Sequence, residues 1–228
     1  MRGWTAVFVV SLMVLAAGVC LAAGLGKDVK ADVQATAVPP KIDGDLSDAA
    51  WKDKVVATKL VDVYTGKEAT PPSTVSVTYD DQNVYIAYDM PEPLVDKIVA
   101  QVADHDGQVW QDDAVEIFLD PKDGKAGAAY YQLIVNSKGV IYDGQAKDSS
   151  WESKATVAAK VDKEGKKWTL EVAIPLASMG VKGSPKGQEW LANFGRDRQV
   201  TGMGENSAWA DVGEDFHNWE GYGHITLK

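Results

Sequence analysis

Apolar and polar residues alternate over short segments of this chain, and this period of two constrains its fold more than any other feature. Between residues 74 and 89, apolar side chains occupy every second position on both sides of the turn sequence DDQN. Such alternation predicts a β-hairpin with one face on the core. Further strands are predicted at 115–119, 131–135, 140–142, 155–161, 168–174, 190–196 and 225–227.

Turn sequences separate these segments at regular spacing, and a helical period is almost absent apart from a short turn at LSDAAW, residues 46–51. The fold class predicted is all-β, an antiparallel β-sandwich (jelly-roll-like) of about ten strands with almost no helix. No linker or internal repeat divides the chain, so we expect a single domain over residues 24–228.

The first residues are typical of a secretory signal peptide. Arg2 precedes an apolar run from Ala6 to Ala17, and small residues follow before position 24. This pattern predicts a signal peptide over residues 1–23 and export to the periplasm or the extracellular space. Val19 stands before Cys20 where a lipid-anchor signal has a small residue, which disfavours an anchor there. Because Cys20 is the only cysteine, the mature chain would have no disulfide.

The charge balance excludes two classes of partner. The net charge is −10, and the chain has no basic run. An acidic chain of this kind is not expected to bind nucleic acid or an anionic membrane surface. No apolar segment beyond the predicted signal predicts a membrane span.

The run DHDGQVWQDDAVEIFLD, residues 104–120, holds the strongest candidates for a binding site. It places Trp110 in a loop, and Glu116 falls on the strand face opposite Val115 and Ile117. An indole can stack on the C–H face of a sugar ring, and a carboxylate accepts strong hydrogen bonds from hydroxyl groups. The alternatives are a loop anchor for the tryptophan and a solvated sheet face for the glutamate.

Several aspartates in the same run have the chemistry of hard-cation ligands. Asp104 and Asp106 have D-x-D spacing, and with Asp112 they are the expected ligands of a structural Ca²⁺ ion, although no EF-hand spacing follows. Asp112, Asp113 and Glu116 are also the candidates for a pair of catalytic carboxylates.

The tryptophans divide into two groups. Trp168 and Trp190 are in phase with the apolar faces of their strands, so we expect them in the core. Trp110, Trp151 and Trp219 lie in polar loops, where a binding role competes with simple loop anchoring.

Seven segments together carry a resemblance to a known family: IDGDLSDAAW, VTYDDQNVYIAY, DHDGQVWQDDAVEIFLDP, YYQLIVNSKGVIYDG, WTLEVAIPLASMG, WLANFGRDR and FHNWEGYGHITL. From about Val38 to the C-terminus the chain resembles a family 9 carbohydrate-binding module. The most specific part is the combination of W-x-D-D-x-x-E with the ending G-H-I-x-L.

The resemblance implies a β-sandwich that binds soluble sugars and the ends of polysaccharide chains, with structural calcium. It also implies a non-catalytic protein linked to polysaccharide breakdown or uptake, with glycoside hydrolases as partners. Trp110 and the glutamate six residues later match the family's binding slot, and Phe216 or Trp219 would form the second wall. Asn193 and Arg196 lie in WLANFGRDR and are either slot-lining or structural. The expected sugar-binding residues are therefore Trp110, Glu116, Asn193, Arg196, Phe216 and Trp219.

Two other function classes stay open. Related sandwiches carry b-type haem between a methionine and a histidine or lysine, and here Met90 with His105 or His217 could serve. A glycoside hydrolase is the other alternative, although a single sandwich without a cleft of paired acids has little with which to perform the chemistry.

Overall fold

The computed structural model describes residues 26–125, 127 and 129–228. The predicted signal peptide and Cys20 lie outside the described residues. Within the described part, every helical element is a 3-10 turn of three or four residues, and no helix is long and apolar enough to cross a membrane.

The regular elements are short strands in two sheets. The strands are β1 (Lys30–Val33), β2 (Val55–Ala57), β3 (Val61–Asp62), β4 (Thr74–Tyr79), β5 (Asn83–Pro91), β6 (Ala114–Asp120), β7 (Tyr131–Asn136), β8 (Ile141–Gln145), β9 (Thr156–Asp162), β10 (Lys167–Pro175), β11 (Glu189–Arg198), β12 (Glu205–Ala208) and β13 (Gly223–Leu227). The 3-10 turns are Ala49–Trp51, Val95–Lys97, Val109–Gln111, Leu176–Met179 and Trp219–Gly221.

The two sheets form a sandwich. The larger sheet has the order β1-β13-β11-β6-β7-β8, with β12 paired to β11 and β3 paired to β12. The smaller sheet has the order β2-β4-β5-β10-β9. The predicted β-sandwich is therefore confirmed, with one correction to its antiparallel character, because β1 runs parallel to β13. These strands are far apart in sequence, so no hairpin forces them to be antiparallel.

Alternation along the strands places one face of each sheet in the core. The predicted core tryptophans, Trp168 and Trp190, are both fully buried there. Val115, Ile117 and Leu119 of β6 also lie in this core, and the alternate residues of β6 face the other side of the larger sheet. A sheet face that is not used for the core is thus available for a site.

The segment that gave the helical signal covers the outer face of the smaller sheet. Trp51 packs with Tyr85 and donates its indole N–H to Glu171 Oε1 at 2.7 Å. Glu171 Oε2 accepts the backbone N–H groups of Asp43 and Gly44 at 2.9 and 2.7 Å. A Cβ at position 44 would lie 2.9 Å from a neighbouring side chain, and φ there is +80°, so the close approach requires glycine.

A buried ion network fixes the edge between the sheets. Glu92 is fully buried and accepts hydrogen bonds from Arg196 at 2.9 Å and from Arg198 at 2.7 and 2.8 Å. Arg198 also pairs with Glu205. Burial by itself would raise the pKa of Glu92, but the hydrogen bonds and charges of the two arginines hold it below its usual value.

Replacement of Glu92 by glutamine should strongly destabilise the protein, because it leaves the buried guanidinium group of Arg196 without its counter-charge and that of Arg198 with only Glu205. We expect the free energy of unfolding to fall by about 3 kcal/mol in urea titrations. The matched control is Asp96→Asn, which breaks an exposed ion pair with Lys163 and should change the free energy by less than about 1 kcal/mol. Equal effects of the two variants would contradict the structural role of the network.

Candidate functional site

A cleft of about 390 Å³ lies on the outer face of the larger sheet. Its lining combines aromatic rings, carboxyl groups and few apolar side chains. The lining residues are Trp110, Glu116, Gln132, Ile134, Tyr142, Lys147, Asp197, Asn206, Glu214, Asp215, Phe216 and His217.

Two carboxyl groups on neighbouring strands form the floor of this cleft. Glu116 of β6 is 4% exposed and Asp197 of β11 is 2% exposed. Glu116 pairs in register with Gly195, so Asp197 lies diagonally across from it on the same face. The two acids are close enough for each to shift the pKa of the other. Gln132 of β7 donates its amide to Glu116 Oε2 at 2.8 Å.

The environment of this pair favours a shared proton. Burial raises the pKa of Glu116 to about 7, against the hydrogen bonds from Gln132 and Asp197, which lower it. Burial, and then the negative charge of Glu116, raise the pKa of Asp197 well above its usual value. Two buried carboxyls in contact cannot both ionise at low cost. At neutral pH the pair therefore holds a proton that water-exposed carboxyls would have lost.

Trp110 and Tyr142 form one aromatic side of the cleft. Trp110 is 41% exposed, and its ring meets that of Tyr142 edge-on with 5.5 Å between centroids. Tyr142 lies on β8, two strands away from β6 in the sheet. The indole ring of Trp110 is exposed to solvent. A tryptophan that served only the stability of the fold would be expected to be largely buried.

Phe216 forms another aromatic side, above β11. It belongs to the segment between β12 and β13, and its ring lies directly over Gly195. A Cβ on Gly195 would lie 3.1 Å from the Phe216 ring and 3.4 Å from Glu116 Cβ. Glycine at this position therefore allows the ring to approach the floor. Tyr222 donates its hydroxyl to Phe216 O at 2.7 Å and holds the segment in place.

The paired aspartates after Trp110 are committed to the backbone. Asp112 accepts N–H groups from Gln101 at 2.8 Å and Val102 at 3.0 Å. Asp113 accepts those of Val99 at 2.7 Å and of the residue after β11, Gln199, at 3.0 Å. These bonds tie the loop that carries Trp110 to its surroundings. They leave the two aspartates out of the cleft lining.

The predicted sugar-binding residues divide between the cleft and other positions. Trp110, Glu116 and Phe216 line the cleft together. Asn193 is fully buried, and its Oδ1 accepts the N–H of Ala210 at 2.9 Å. Arg196 belongs to the ion network with Glu92, on the other side of β11.

Trp219, the other candidate for the second wall, packs beside the small apolar cluster under the loops and is absent from the cleft lining. Asp197 and Tyr142 line the cleft and were missed by the sequence reasoning. The alternation of β11, in which Asp197 shares parity with Asn193, was the signal that could have indicated Asp197.

The three aspartates expected to bind calcium do not converge in the structure. Asp112 has both oxygens on N–H donors, since Asn136 Nδ2 also donates to it at 2.9 Å. Asp104 is exposed, and Asp106 Oδ1 accepts the Asp143 N–H at 3.3 Å. This set of residues does not fit a Ca²⁺ site.

A different group of three could hold a metal ion. Within the described residues, ligand atoms of His105, Asp143 and Glu152 lie within 4.8 Å of one another. Asp143 is buried, and its Oδ1 lies 3.7 Å from His105 Nε2 and lacks a hydrogen-bond donor. The carboxylate of Asp106 lies 3.4 Å from His105 Nδ1, on the other side of the ring. A carboxylate in that position orients a histidine whose free nitrogen binds a metal.

The residues considered for haem are not gathered at one place. Met90 is fully buried in the main core between the sheets. His217 lines the cleft and is hydrogen-bonded to Tyr130 through Nδ1 at 2.7 Å. The cleft lining contains no methionine.

Comparison with known proteins connects this geometry to one family. The model of the carbohydrate family 9 binding domain-like family matches residues 42–228. A comparison with curated proteins finds no match.

Three solved structures have a similar fold. A family 9 carbohydrate-binding module from Caldicellulosiruptor kristjanssonii in complex with cellotriose is 17% identical, with a TM-score of 0.63 over 87% of this chain and 93% of that chain. A structure of such a module from the same organism with glucose is 17% identical, with a TM-score of 0.59 over 86% and 95%. A protein from Bacteroides uniformis whose name suggests carbohydrate binding is 18% identical, with a TM-score of 0.65 over 89% and 100%.

The carboxyl pair should make stability depend on pH. Because the folded state raises the pKa of Glu116 to about 7, the protonated form favours folding, and this contribution is lost as pH rises through about 7. We expect the melting temperature to fall by about 5 °C between pH 5 and pH 8.

The Glu116→Gln variant should lose more than half of this fall, whereas Glu189→Gln, an exposed change of the same kind on β11, should keep it. Scanning calorimetry of the three proteins across this range makes the measurement. A wild-type melting temperature that rises over the range, or equal slopes in all three proteins, would contradict the raised pKa.

Proposed function

The chain belongs to the carbohydrate family 9 binding domain-like family, and from that premise we propose that it is an exported, non-catalytic protein that binds short saccharides in the cleft on its larger sheet. The observation that carries the proposal is that Trp110, Phe216 and Glu116 line one cleft. Two of the three similar structures contain a sugar, cellotriose in one and glucose in the other. We extend that class of ligand to this chain, with oligosaccharides or polysaccharide chain ends as partners.

The aromatic side chains supply the binding surface. A sugar ring has apolar C–H faces that lose contact with water when they stack on an indole or a phenyl ring. Trp110 already exposes its ring, and Tyr142 supports it edge-on, so little ordering is needed on binding. The ring of Phe216 lies above β11, whereas Tyr142 lies on β8. Strands β6 and β7 separate β11 from β8 in the sheet. The rings therefore flank the polar floor from two sides.

The polar floor orients the ligand. Glu116 accepts hydrogen bonds, and Gln132 both donates to it and offers further amide capacity. A sugar carries hydroxyl groups around its ring edge that can donate to these acceptors while its faces meet the aromatic rings. Polar groups of this kind fix the orientation of a ligand whose apolar faces lie against aromatic rings.

The spacing of the carboxyl groups supports binding without hydrolysis. Retaining glycosidases hold their two carboxyls about 5 Å apart, and inverting enzymes hold them further apart to admit water. Glu116 and Asp197 lie diagonally across neighbouring strands on one face, and each shifts the pKa of the other. We take this close pairing to favour binding over hydrolysis. A role beside glycoside hydrolases, in polysaccharide breakdown or uptake, fits such a protein.

Isothermal titration calorimetry with cellobiose and xylobiose tests the proposal. Trp110→Ala and Phe216→Ala should each weaken binding at least about tenfold, since each removes a stacking surface. Tyr64→Ala is the matched control, because Tyr64 is an exposed aromatic outside the cleft lining, and it should bind as the wild type does. No heat with any disaccharide from a folded protein, or equal binding by all variants, would refute the proposal.

A divalent ion is a second part of the proposal. The predicted calcium set does not converge, and we place the ion at His105, Asp143 and Glu152 instead. One imidazole nitrogen and two carboxylates suit Zn²⁺ better than Ca²⁺, which prefers oxygen ligands throughout. His105 belongs to the loop that carries Trp110, so an ion there would connect that loop to β8.

Added Zn²⁺ should therefore raise the melting temperature of the chelator-treated protein by at least about 3 °C, and added Ca²⁺ should raise it less. His105→Gln should abolish the zinc effect. Asp104→Asn, a change at the exposed residue before His105, should preserve it. A zinc effect that survives in His105→Gln, or no effect in the wild type, would rule out this position.

A further inference from the structure

The cleft that the proposed function uses is strongly anionic. Its lining includes four carboxyl side chains: Glu116 and Asp197 on the floor, and Glu214 and Asp215 at the exposed rim. Only one lysine, Lys147, faces them, and it is exposed at the rim. A neutral sugar has no need of such an excess of negative charge.

We propose that the sugar taken by this cleft carries a protonated amino group, as in glucosamine and its oligosaccharides, and that Asp197 together with Glu116 receives the ammonium. This inference rests on the proposed function and adds the chemical class of the ligand.

The atoms left without partners on the floor are acceptors. Asp197 Oδ2 is buried and has no hydrogen-bond donor, and the same holds for Asn206 Oδ1. The two residues are paired in register on β11 and β12 and both line the cleft. A ligand that satisfies them must donate hydrogen bonds. An ammonium group offers three donors and no acceptor, whereas a hydroxyl group offers one.

No cation of the protein occupies the floor among the described residues. Arg196 and Arg198 precede and follow Asp197 in sequence, but they are bound to Glu92 at the edge between the sheets. Burial lowers the pKa of His217, so this ring stays neutral near pH 7 and adds no positive charge to the cleft. The counter-charge for the floor carboxyls is therefore left for the ligand to bring.

The aromatic rings complete a site for a cation. Trp110, Tyr142 and Phe216 line the same cleft as the carboxyls. The faces of such rings attract ammonium groups through their electron density, most strongly where water is displaced. The carboxyl pair also gains from an ammonium, because a positive charge beside the two groups allows both to ionise and offsets the repulsion that otherwise retains a proton there. An acetylated amino sugar has no positive charge for these carboxyl groups to attract. A uronic acid is negatively charged, so the carboxyl groups would repel it.

The test compares two disaccharides that differ only at C2. Cellobiose carries a hydroxyl group there on each ring, and the β-1,4-linked glucosamine disaccharide carries an ammonium. In calorimetric titrations at pH 6 and low salt, we expect the glucosamine disaccharide to bind at least about tenfold more tightly than cellobiose. N,N′-diacetylchitobiose should bind no better than cellobiose, and about 0.5 M NaCl should reduce the preference.

Two isosteric variants identify the residues responsible. Asp197→Asn and Glu116→Gln should each reduce the preference for the glucosamine disaccharide to about threefold or less. Glu189→Gln, the same change of charge at the far end of β11, should retain the wild-type preference. Circular dichroism and melting temperatures establish that each variant is folded.

The outcomes separate the two proposals. Equal affinity of the wild type for the two disaccharides would overturn the amino-sugar inference and leave saccharide binding intact. A preference that survives in both floor variants would also overturn it, since another group would then receive the amine. If neither disaccharide binds to the folded wild type, saccharide binding itself fails, and the inference fails with it.

Discussion

A carboxylate that folding removes from water must find hydrogen-bond donors, and this constraint shapes most of the structure. Glu171 meets it with backbone N–H groups and an indole, and so fastens the N-terminal segment onto the smaller sheet. Asp112 and Asp113 meet it with backbone donors from two segments of chain, residues 99–102 and Gln199. Glu92 meets it with two arginines. Each of these carboxylates joins parts of the chain that are distant in sequence, at a cost in desolvation that its donors offset.

Glu116 and Asp197 are the contrast. They are nearly as buried as the carboxylates that join segments, but among the described residues Gln132 is the one side-chain amide that donates to them. The remaining acceptor capacity faces a cleft. Rigid strands hold the pair, and loops fixed by Asp112, Asp113 and Tyr222 bring the aromatic rings to it. Unsatisfied polar groups are unfavourable to folding, and they persist where the surrounding structure is stable enough to tolerate them. The unsatisfied acceptors of the site are therefore tolerated because the buried carboxylates elsewhere have hydrogen-bond donors and stabilise the surrounding structure.

The sequence predicted the sandwich and part of the site for identifiable reasons. A period of two over five or more residues is a strong signal, and it placed Glu116 on the face away from the core. The strands that were not predicted, including β3 and β12, are too short for an alternating pattern to be recognised in the sequence. Asp197 was missed because a charged residue between two arginines resembles a solvated strand end. Asp112 was predicted as a calcium ligand, but its observed role is to accept backbone N–H groups, which carry no signature in the sequence.

The floor residues of the cleft alternate along β6 and β11 with side chains that form the core. The residues that select a ligand are therefore different from the residues that stabilise the fold. Ile117 and Phe194 face inwards between the sheets, while Glu116 and Asp197 face outwards on the same two strands. An amide in place of either acid would preserve shape and backbone pairing while altering the charge that a ligand encounters. Descendants of one such sandwich could therefore diverge from cationic towards neutral or acidic ligands by exchanging two outward side chains, without first having to refit the interior.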